Sequence, residues 1–424
     1  MKTFCIKTLG CKVNSYESEF IRNLFLNEGY TLSENNPDVY VINTCTVTND
    51  ADKKSKKIIN SIRKNNKDSI VVALGCFCQN KMNDINKYIN ADIILGNKDK
   101  SKIVNYVNEF LKNKKKIVKF YDMNIQEFED MEIKCYAKAR AFVKIEDGCN
   151  NFCSYCIIPY VRGRVRSKNI DKVIHEVDNL LLNGHKEIVL TGIHIGQYGK
   201  DINLKLYNLL TELLKNNKLK CLRLSSIEVV EIDDDIINLI KNNNKMASHM
   251  HIPLQSGCDK ILKLMNRRYN KKEYKLIIDK IRQARENISI TTDVIVGFPM
   301  ETDEDFKETY NFCKEMKFTK IHVFPYSDRE GTVASKMNGK IDNTIKKERV
   351  RKLIELSNEL QKDYYYTFIG KKEKIIIESY IDGYYIGHTS NYLKLKLKGN
   401  YEIRNEYEIV IDESMFEIEN PSYE

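Results

Sequence analysis

The chain has 424 residues, 42% hydrophobic and 30% charged, with a formal charge of +10. That length exceeds one ordinary core and implies two or three domains. Twelve cysteines speak for thiol, metal or redox chemistry rather than a disulfide framework. The opening MKTFCIKTLGCK has no uninterrupted apolar stretch, and no run along the chain is long and apolar enough for a membrane span, so a cytoplasmic, non-membrane protein is expected.

Residues 1–112 alternate short apolar runs with helical patterns, as in a parallel sheet. The expected strands are TFCIKTL (3–9), DVYVIN (38–43), SIVVAL (69–74) and ADIILG (91–96). Asn14, with Glu17 three residues on, has the spacing of a helix cap before Phe20, Leu24 and Phe25. Residues 113–135, lysine-rich and then acidic, read as a solvated connector.

Residues 136–366 offer six further strand-plus-helix units. The strands are RAFVKIE (140–146), KEIVLTG (186–192), KCLRLSS (220–226), HMHIPLQ (249–255), ITTDVIVG (290–297) and KIHVFPYS (320–327). Six such units predict a partial (β/α)6 barrel, with its chemistry at the C-terminal strand ends. Pro159, Pro253, Pro299 and Pro325 fall at or past those ends, and a helix over 343–364 closes the segment. Residues 367–424 switch to short strands punctuated by Gly383, Gly387 and Gly399, which predicts a small antiparallel barrel. The fold class is therefore α/β, with that barrel appended. Positive charge concentrates in the middle segment, whereas the last is net acidic. A basic centre suits a polyanion such as nucleic acid.

Cys149, Cys153 and Cys156 in DGCNNFCSYCIIP follow the first barrel strand in a C-x3-C-x2-C array with no fourth cysteine nearby. Neither the paired spacing of zinc sites nor four-cysteine iron–sulfur runs match it. Cys11, Cys45 and Cys76 stand about 30 residues apart, yet each lies just past an expected strand end. A parallel sheet would bring them to one edge. Cys5, Cys135, Cys221 and Cys313 read as separate buried thiols, and Cys78 as a spare. His249 and His251 share a strand face and read as hydrogen-bonded barrel residues.

The array C-x3-C-x-aromatic-C, with Tyr155 as the aromatic, resembles the radical S-adenosylmethionine enzymes. The ordered set TLGCKVNSYESE, NTCTVTNDADKKSKK, DGCNNFCSYCIIPYVRGRVRS, LTGIHIGQYG, HIPLQSGCDKILKLMNR, DVIVGFPMETDEDF and HVFPYSDREGT is similar to the radical methylthiotransferases over nearly the whole chain. GCKVN at Cys11 resembles the branch acting on N6-threonylcarbamoyladenosine in tRNA. Other branches act on another adenosine or on a ribosomal protein. Met300, where the family has glycine, is a departure.

The resemblance implies a cluster-binding N-terminal domain (1–112), a connector (113–135), a radical S-adenosylmethionine core (136–366) and a TRAM-like barrel (367–424). It implies two 4Fe–4S clusters, on Cys149, Cys153 and Cys156 and on Cys11, Cys45 and Cys76, with two molecules of S-adenosylmethionine. The first cluster would generate a 5′-deoxyadenosyl radical and the second would deliver the methylthio group to C2 of the adenine beside the anticodon. No side-chain acid or base is implied. Besides Tyr155, the cofactor-binding set would be Thr191, Gly192, Ser226, Glu228 and Gly297, each of which also reads as a turn residue at a strand end. Arg162, Arg164 and Arg166, with Lys394 and Lys396, are the candidate RNA contacts. The implied partners are the tRNA anticodon stem-loop, an electron donor such as flavodoxin or ferredoxin, and an unidentified sulfur donor. A zinc-holding RNA-binding module is the reading from a different class.

Overall fold

Three bodies follow one another along the computed structural model, which describes residues 2–417. The first is a parallel sheet of β1 (Thr3–Thr8), β2 (Thr31–Leu32), β3 (Val39–Thr44), β4 (Ile70–Gly75), β5 (Ile93–Leu95) and β6 (Ile117–Lys119), in the order β2-β1-β3-β4-β5-β6. Strands β3 and β4 are buried along their whole length, because helices cover both faces of the sheet. That is why their sequences are unbroken apolar runs. The helices are α1 (Lys12–Asn27), α2 (Asn49–Asn65), α3 (Cys76–Asn80) and α4 (Ile103–Asn113).

Two expectations need correction. Helix α1 starts at Lys12, directly after Cys11, so Asn14 is not its cap. Its amide instead donates to the carbonyls of Leu9 (2.7 Å) and Thr44 (2.9 Å), clamping the ends of β1 and β3 together. Strand β6 lies in the stretch read as connector, so the sheet runs past residue 112, and Met123 and Met131 beyond it are buried. A three-residue edge strand has too little alternation to stand out from a lysine run.

The second body contains β7 (Ala141–Lys144), a small antiparallel pair of β8 (Glu146–Asp147) and β9 (Arg166–Ser167), then β10 (Glu187–Thr191), β11 (Cys221–Leu224), β12 (His249–His251), β13 (Ser289–Val296) and β14 (Lys320–Pro325). Two parallel three-stranded sheets, β11-β10-β7 and β12-β13-β14, are joined by bridges Leu222–Met246 and Ser226–His251. The result is the expected six-stranded partial barrel. Among the described residues β7 and β14 are not paired, and α1 packs against β7 beside that open side. The helix Asn343–Tyr366 packs along β14.

The third body is a four-stranded antiparallel sheet of β15 (Lys372–Ile381), β16 (Tyr384–Thr389), β17 (Lys394–Leu397) and β18 (Glu406–Val410), ordered β17-β16-β15-β18. Among the described residues its edge strands do not pair with each other. Arg223 of β11 ties it to the barrel by donating to the carbonyls of Ser390 (3.1 Å) and Thr389 (3.4 Å).

Candidate functional site

The ends of β1, β3 and β4 are in register, with Thr8 beside Asn43 and Thr44 beside Gly75. The chain segments that leave them bring Cys11, Cys45 and Cys76 to one sheet edge. A methyl group added at Gly10, before Cys11, would stand 2.9 Å from the Cys45 sulfur. Burial, with Cys76 and Cys11 adding to it, pushes the Cys45 thiol up to about 12. Cys11 is exposed at this edge. Cys78 takes no part. It is buried in the core behind the sheet and sits 3.9 Å from the Thr44 hydroxyl.

The second trio lies on the loop bracketed by β8 and β9. Gly148, at φ +88°, turns the chain into Cys149, and an added methyl would lie 2.0 Å from the carbonyl of Arg164. Burial raises Cys153 and Cys156, and the neighbouring thiols of the trio raise both further. Three partners complete the surroundings. Arg267 donates to the Cys153 sulfur (3.2 Å) and pairs with Glu228 (2.8 Å). His194 Nδ1 stands 3.4 Å from Cys149, while its Nε2 meets Glu231 at 2.6 Å. Burial pulls His194 down, but those two contacts outweigh it and hold the imidazole at about 10. Tyr155 meets Phe298 edge-on, with ring centres 6.5 Å apart.

These partners link the expected cofactor residues to the trio. Thr191 and Gly192 end β10 just before His194, and the Glu146 carboxylate lies 2.7 Å from where a Gly192 Cβ would be. Ser226 is bridged to His251, and Glu228 is joined to Cys153 through Arg267. Gly297, at φ +70°, precedes Phe298 and donates its N–H to Glu301 (2.7 Å).

The two trios meet at a buried joint. Cys76 packs in one apolar cluster with Val161 and with Ile157, the residue after Cys156. Helix α5 (Ile158–Arg162) then delivers Arg162 into the first body, fully buried. Its Nε lies 3.2 Å from the Cys76 sulfur, and its Nη atoms meet Asn14 (2.8 Å), Glu17 (3.1 Å) and Asp147 (3.1 Å). Lys100 and Lys144 also hold Glu17, at 2.6 and 3.0 Å, and Lys144 holds Asp147 at 2.6 Å. With Arg166 3.8 Å from Asp147, four cations thus face two carboxylates beside Cys76.

Arg162 and Arg166, expected at the RNA surface, are instead buried, Arg166 against the carbonyl of Met123. Of that group Arg164 alone is exposed, its guanidinium 4.4 Å from the Phe152 ring centre. Lys396 lies over the Tyr384 ring, and Lys394 meets Glu417 at 3.5 Å. Cys135 is exposed, not buried, whereas Cys5, Cys221 and Cys313 are buried as expected. His249 and His251 both reach the Thr291 hydroxyl, at 3.1 and 2.9 Å. Sequence reasoning did not single out His194, Arg267 or Glu17 for the site. HIG and MNR sit inside quoted motifs, but only tertiary contact reveals their partners.

Each trio offers three soft donors and a fourth direction with no protein thiol, which fits an iron–sulfur cluster with one open position. Among the described residues no three His, Cys, Asp or Glu side chains are gathered to hold a single metal ion. A mononuclear tetrahedral zinc site is thus not built here. No helix among them is long and apolar enough to cross a membrane.

Residues 143–313 match the Radical SAM superfamily, and residues 3–96 match the uncharacterized protein family UPF0004. The chain is 41% identical to the threonylcarbamoyladenosine tRNA methylthiotransferase MtaB of Bacillus subtilis, over 95% of this chain and 92% of that one. It is 35% identical to the tRNA-2-methylthio-N(6)-dimethylallyladenosine synthase of Acetivibrio thermocellus, over 89% and 81%. The solved radical S-adenosylmethionine methyltransferase TsrM of Kitasatospora setae shares the fold at a TM-score of 0.55 and 14% identity, over 77% and 75%.

Proposed function

The chain belongs to the radical S-adenosylmethionine tRNA methylthiotransferases, and on that premise we propose that it methylthiolates C2 of N6-threonylcarbamoyladenosine beside the tRNA anticodon. The observation that carries this reading is the joint between the two cysteine trios, where Cys76 packs on Ile157 and bonds Arg162. Two clusters, one for cleaving S-adenosylmethionine and one for holding transferable sulfur, are useful to one substrate only when they share a chamber.

Cys149, Cys153 and Cys156 would hold one 4Fe–4S cluster and Cys11, Cys45 and Cys76 the other. Bound there, the first supplies the electron that cleaves S-adenosylmethionine, and the second supplies the sulfur. A second molecule of S-adenosylmethionine serves as methyl donor, and a flavodoxin- or ferredoxin-type protein as reductant. The protein's part is placement. Gly192 lets the Glu146 carboxylate close on the backbone, and Gly297 does the same for the Lys346 side chain. Arg267 orients Glu228 and steadies Cys153, and His194 does the same for Cys149. Tyr155, wedged against Phe298, keeps the loop closed over its apolar support. Arg164 and Lys396 are the accessible cations left to meet RNA phosphates. Residues 367–417 supply the RNA-facing sheet of a TRAM-type domain.

The test is anaerobic reconstitution, tRNA bearing N6-threonylcarbamoyladenosine, and mass spectrometry of the digested nucleosides. Appearance of 2-methylthio-N6-threonylcarbamoyladenosine is the expected result. A product found only with dimethylallyladenosine tRNA, or only on protein, overturns the substrate assignment.

A further inference from the structure

A cavity of about 610 Å³ lies between the inside of the barrel and the third body, ample for a modified nucleobase. His251, bridged to Ser226 among the expected cofactor residues, lines one end, and Tyr392 and His388 of the third body line the other. Lys12, the residue after Cys11, reaches into the cavity from the barrel's open side. Lys12 thus joins the cavity to the cysteine edge of the first sheet through its neighbour Cys11.

Its cations differ in one respect. Arg140 pairs with Glu378 (2.8 Å), Lys394 with Glu417 (3.5 Å), and Lys320 meets Gln361 (2.9 Å). Among the described residues lining the cavity, Lys12 is the one Lys or Arg with neither an ion pair nor a hydrogen bond. An ammonium so placed is costly without an anion and gains most from one that arrives with a ligand.

N6-threonylcarbamoyladenosine brings such an anion. Its base ends in a threonyl carboxylate, whereas a dimethylallyl substituent carries no charge. We propose that Lys12 is a specificity residue, its ammonium holding the threonyl carboxylate of the modified adenine inside the barrel cavity. This rests on the substrate reading above. A neutral N6 substituent leaves the ammonium unpaired, so discrimination comes as much from rejecting the wrong base as from holding the right one.

The test measures binding of anticodon stem-loop RNAs by the reconstituted enzyme. The probes carry N6-threonylcarbamoyladenosine, its threonyl methyl ester, N6-dimethylallyladenosine or plain adenosine at one position. Wild type is expected to prefer the carboxylate RNA over the other three by about tenfold or more, the scale of a charge-assisted hydrogen bond. Lys12→Gln removes the preference by weakening the carboxylate RNA and tightening the dimethylallyladenosine RNA, and Lys12→Arg retains it. A preference that survives Lys12→Gln overturns the proposal. So does an equal loss on all four RNAs, which marks a phosphate contact. The methyl ester repeats the test on wild type alone: binding as tight as the free acid's overturns the proposal even if the variants fail to fold. If wild type binds the carboxylate RNA and its ester equally but still above plain adenosine and dimethylallyladenosine, the Lys12 assignment fails and the substrate reading stands. If wild type favours dimethylallyladenosine, the substrate reading fails first.

Discussion

Arg162 of the barrel donates its Nε–H to the sulfur of Cys76 in the N-terminal sheet over 3.2 Å, across the joint between the two bodies. Its other nitrogens hold Glu17, Asp147 and Asn14, so one planar guanidinium serves both halves. An ammonium has one nitrogen and cannot span that set. Arg162→Lys and Arg162→Met are both expected to destabilise the protein, the latter by about 3–5 kcal/mol, as when one partner of a buried pair is removed. Urea denaturation of the apo-protein reads this directly. Wild-type midpoints in both variants would show that the network does not hold the joint.

Acid should weaken the same network. Burial alone would raise the Glu17 carboxyl, but Arg162, Lys100 and Lys144 outweigh it and hold the group far below its ordinary 4.5. The unfolded chain therefore takes up this proton first as pH falls. Glu17's contribution is complete above the unfolded carboxylate pKa of about 4.5 and declines steadily below it. Glu17→Gln is expected to lower stability at neutral pH and to flatten the decline in acid. Urea midpoints at neutral pH and at about pH 4 compare the two proteins.

The trios should divide their labour. Cys153→Ala is expected to abolish reductive cleavage of S-adenosylmethionine. Cys45→Ala is expected to keep cleavage and lose methylthio transfer. Chromatography of 5′-deoxyadenosine and of the nucleoside product separates the two steps, and equal loss of cleavage in both variants would contradict the assignment.

Three of the six cysteines, Cys11, Cys76 and Cys149, directly follow glycines at φ of +99°, +100° and +88°. Any Cβ is strained there, and at Gly10 it also collides with Cys45. Gly10→Ala is expected to cut the iron bound after reconstitution to about half, sparing the barrel site, whereas Gly148→Ala abolishes cleavage. Iron analysis and 5′-deoxyadenosine formation provide the readouts. Full iron content in Gly10→Ala would show that the loop has room to shift.

Much of this was readable beforehand, for physical reasons. Strands β3 and β4 are buried on both faces and so are written as unbroken apolar runs. The barrel strands recur with their helices at regular spacing, and Cys149, Cys153 and Cys156 are close enough in sequence to form a local signature. Cys11, Cys45 and Cys76 could be grouped because a parallel sheet has only one C-terminal edge. Arg162 reads as a surface residue because arginine usually is one, and nothing local shows that its two charged partners are Glu17 and Asp147. Lys12 shows the same limit. Its sequence neighbour Cys11 belongs to the sheet edge, while its ammonium lies in a cavity built by strands more than a hundred residues away.

The burial of Glu17 also bears on how the protein is made. A ribosome that has completed β6 has released every strand of the first sheet, but only Lys100 of the three cations that surround Glu17. Lys144 and Arg162 are still to be synthesised. Until they arrive, the nascent N-terminal body carries a carboxylate whose interior position is under-compensated, so its last packing step waits for the start of the barrel. The two segments that match separate families are consecutive in the chain, but the charges that balance Glu17 come from both.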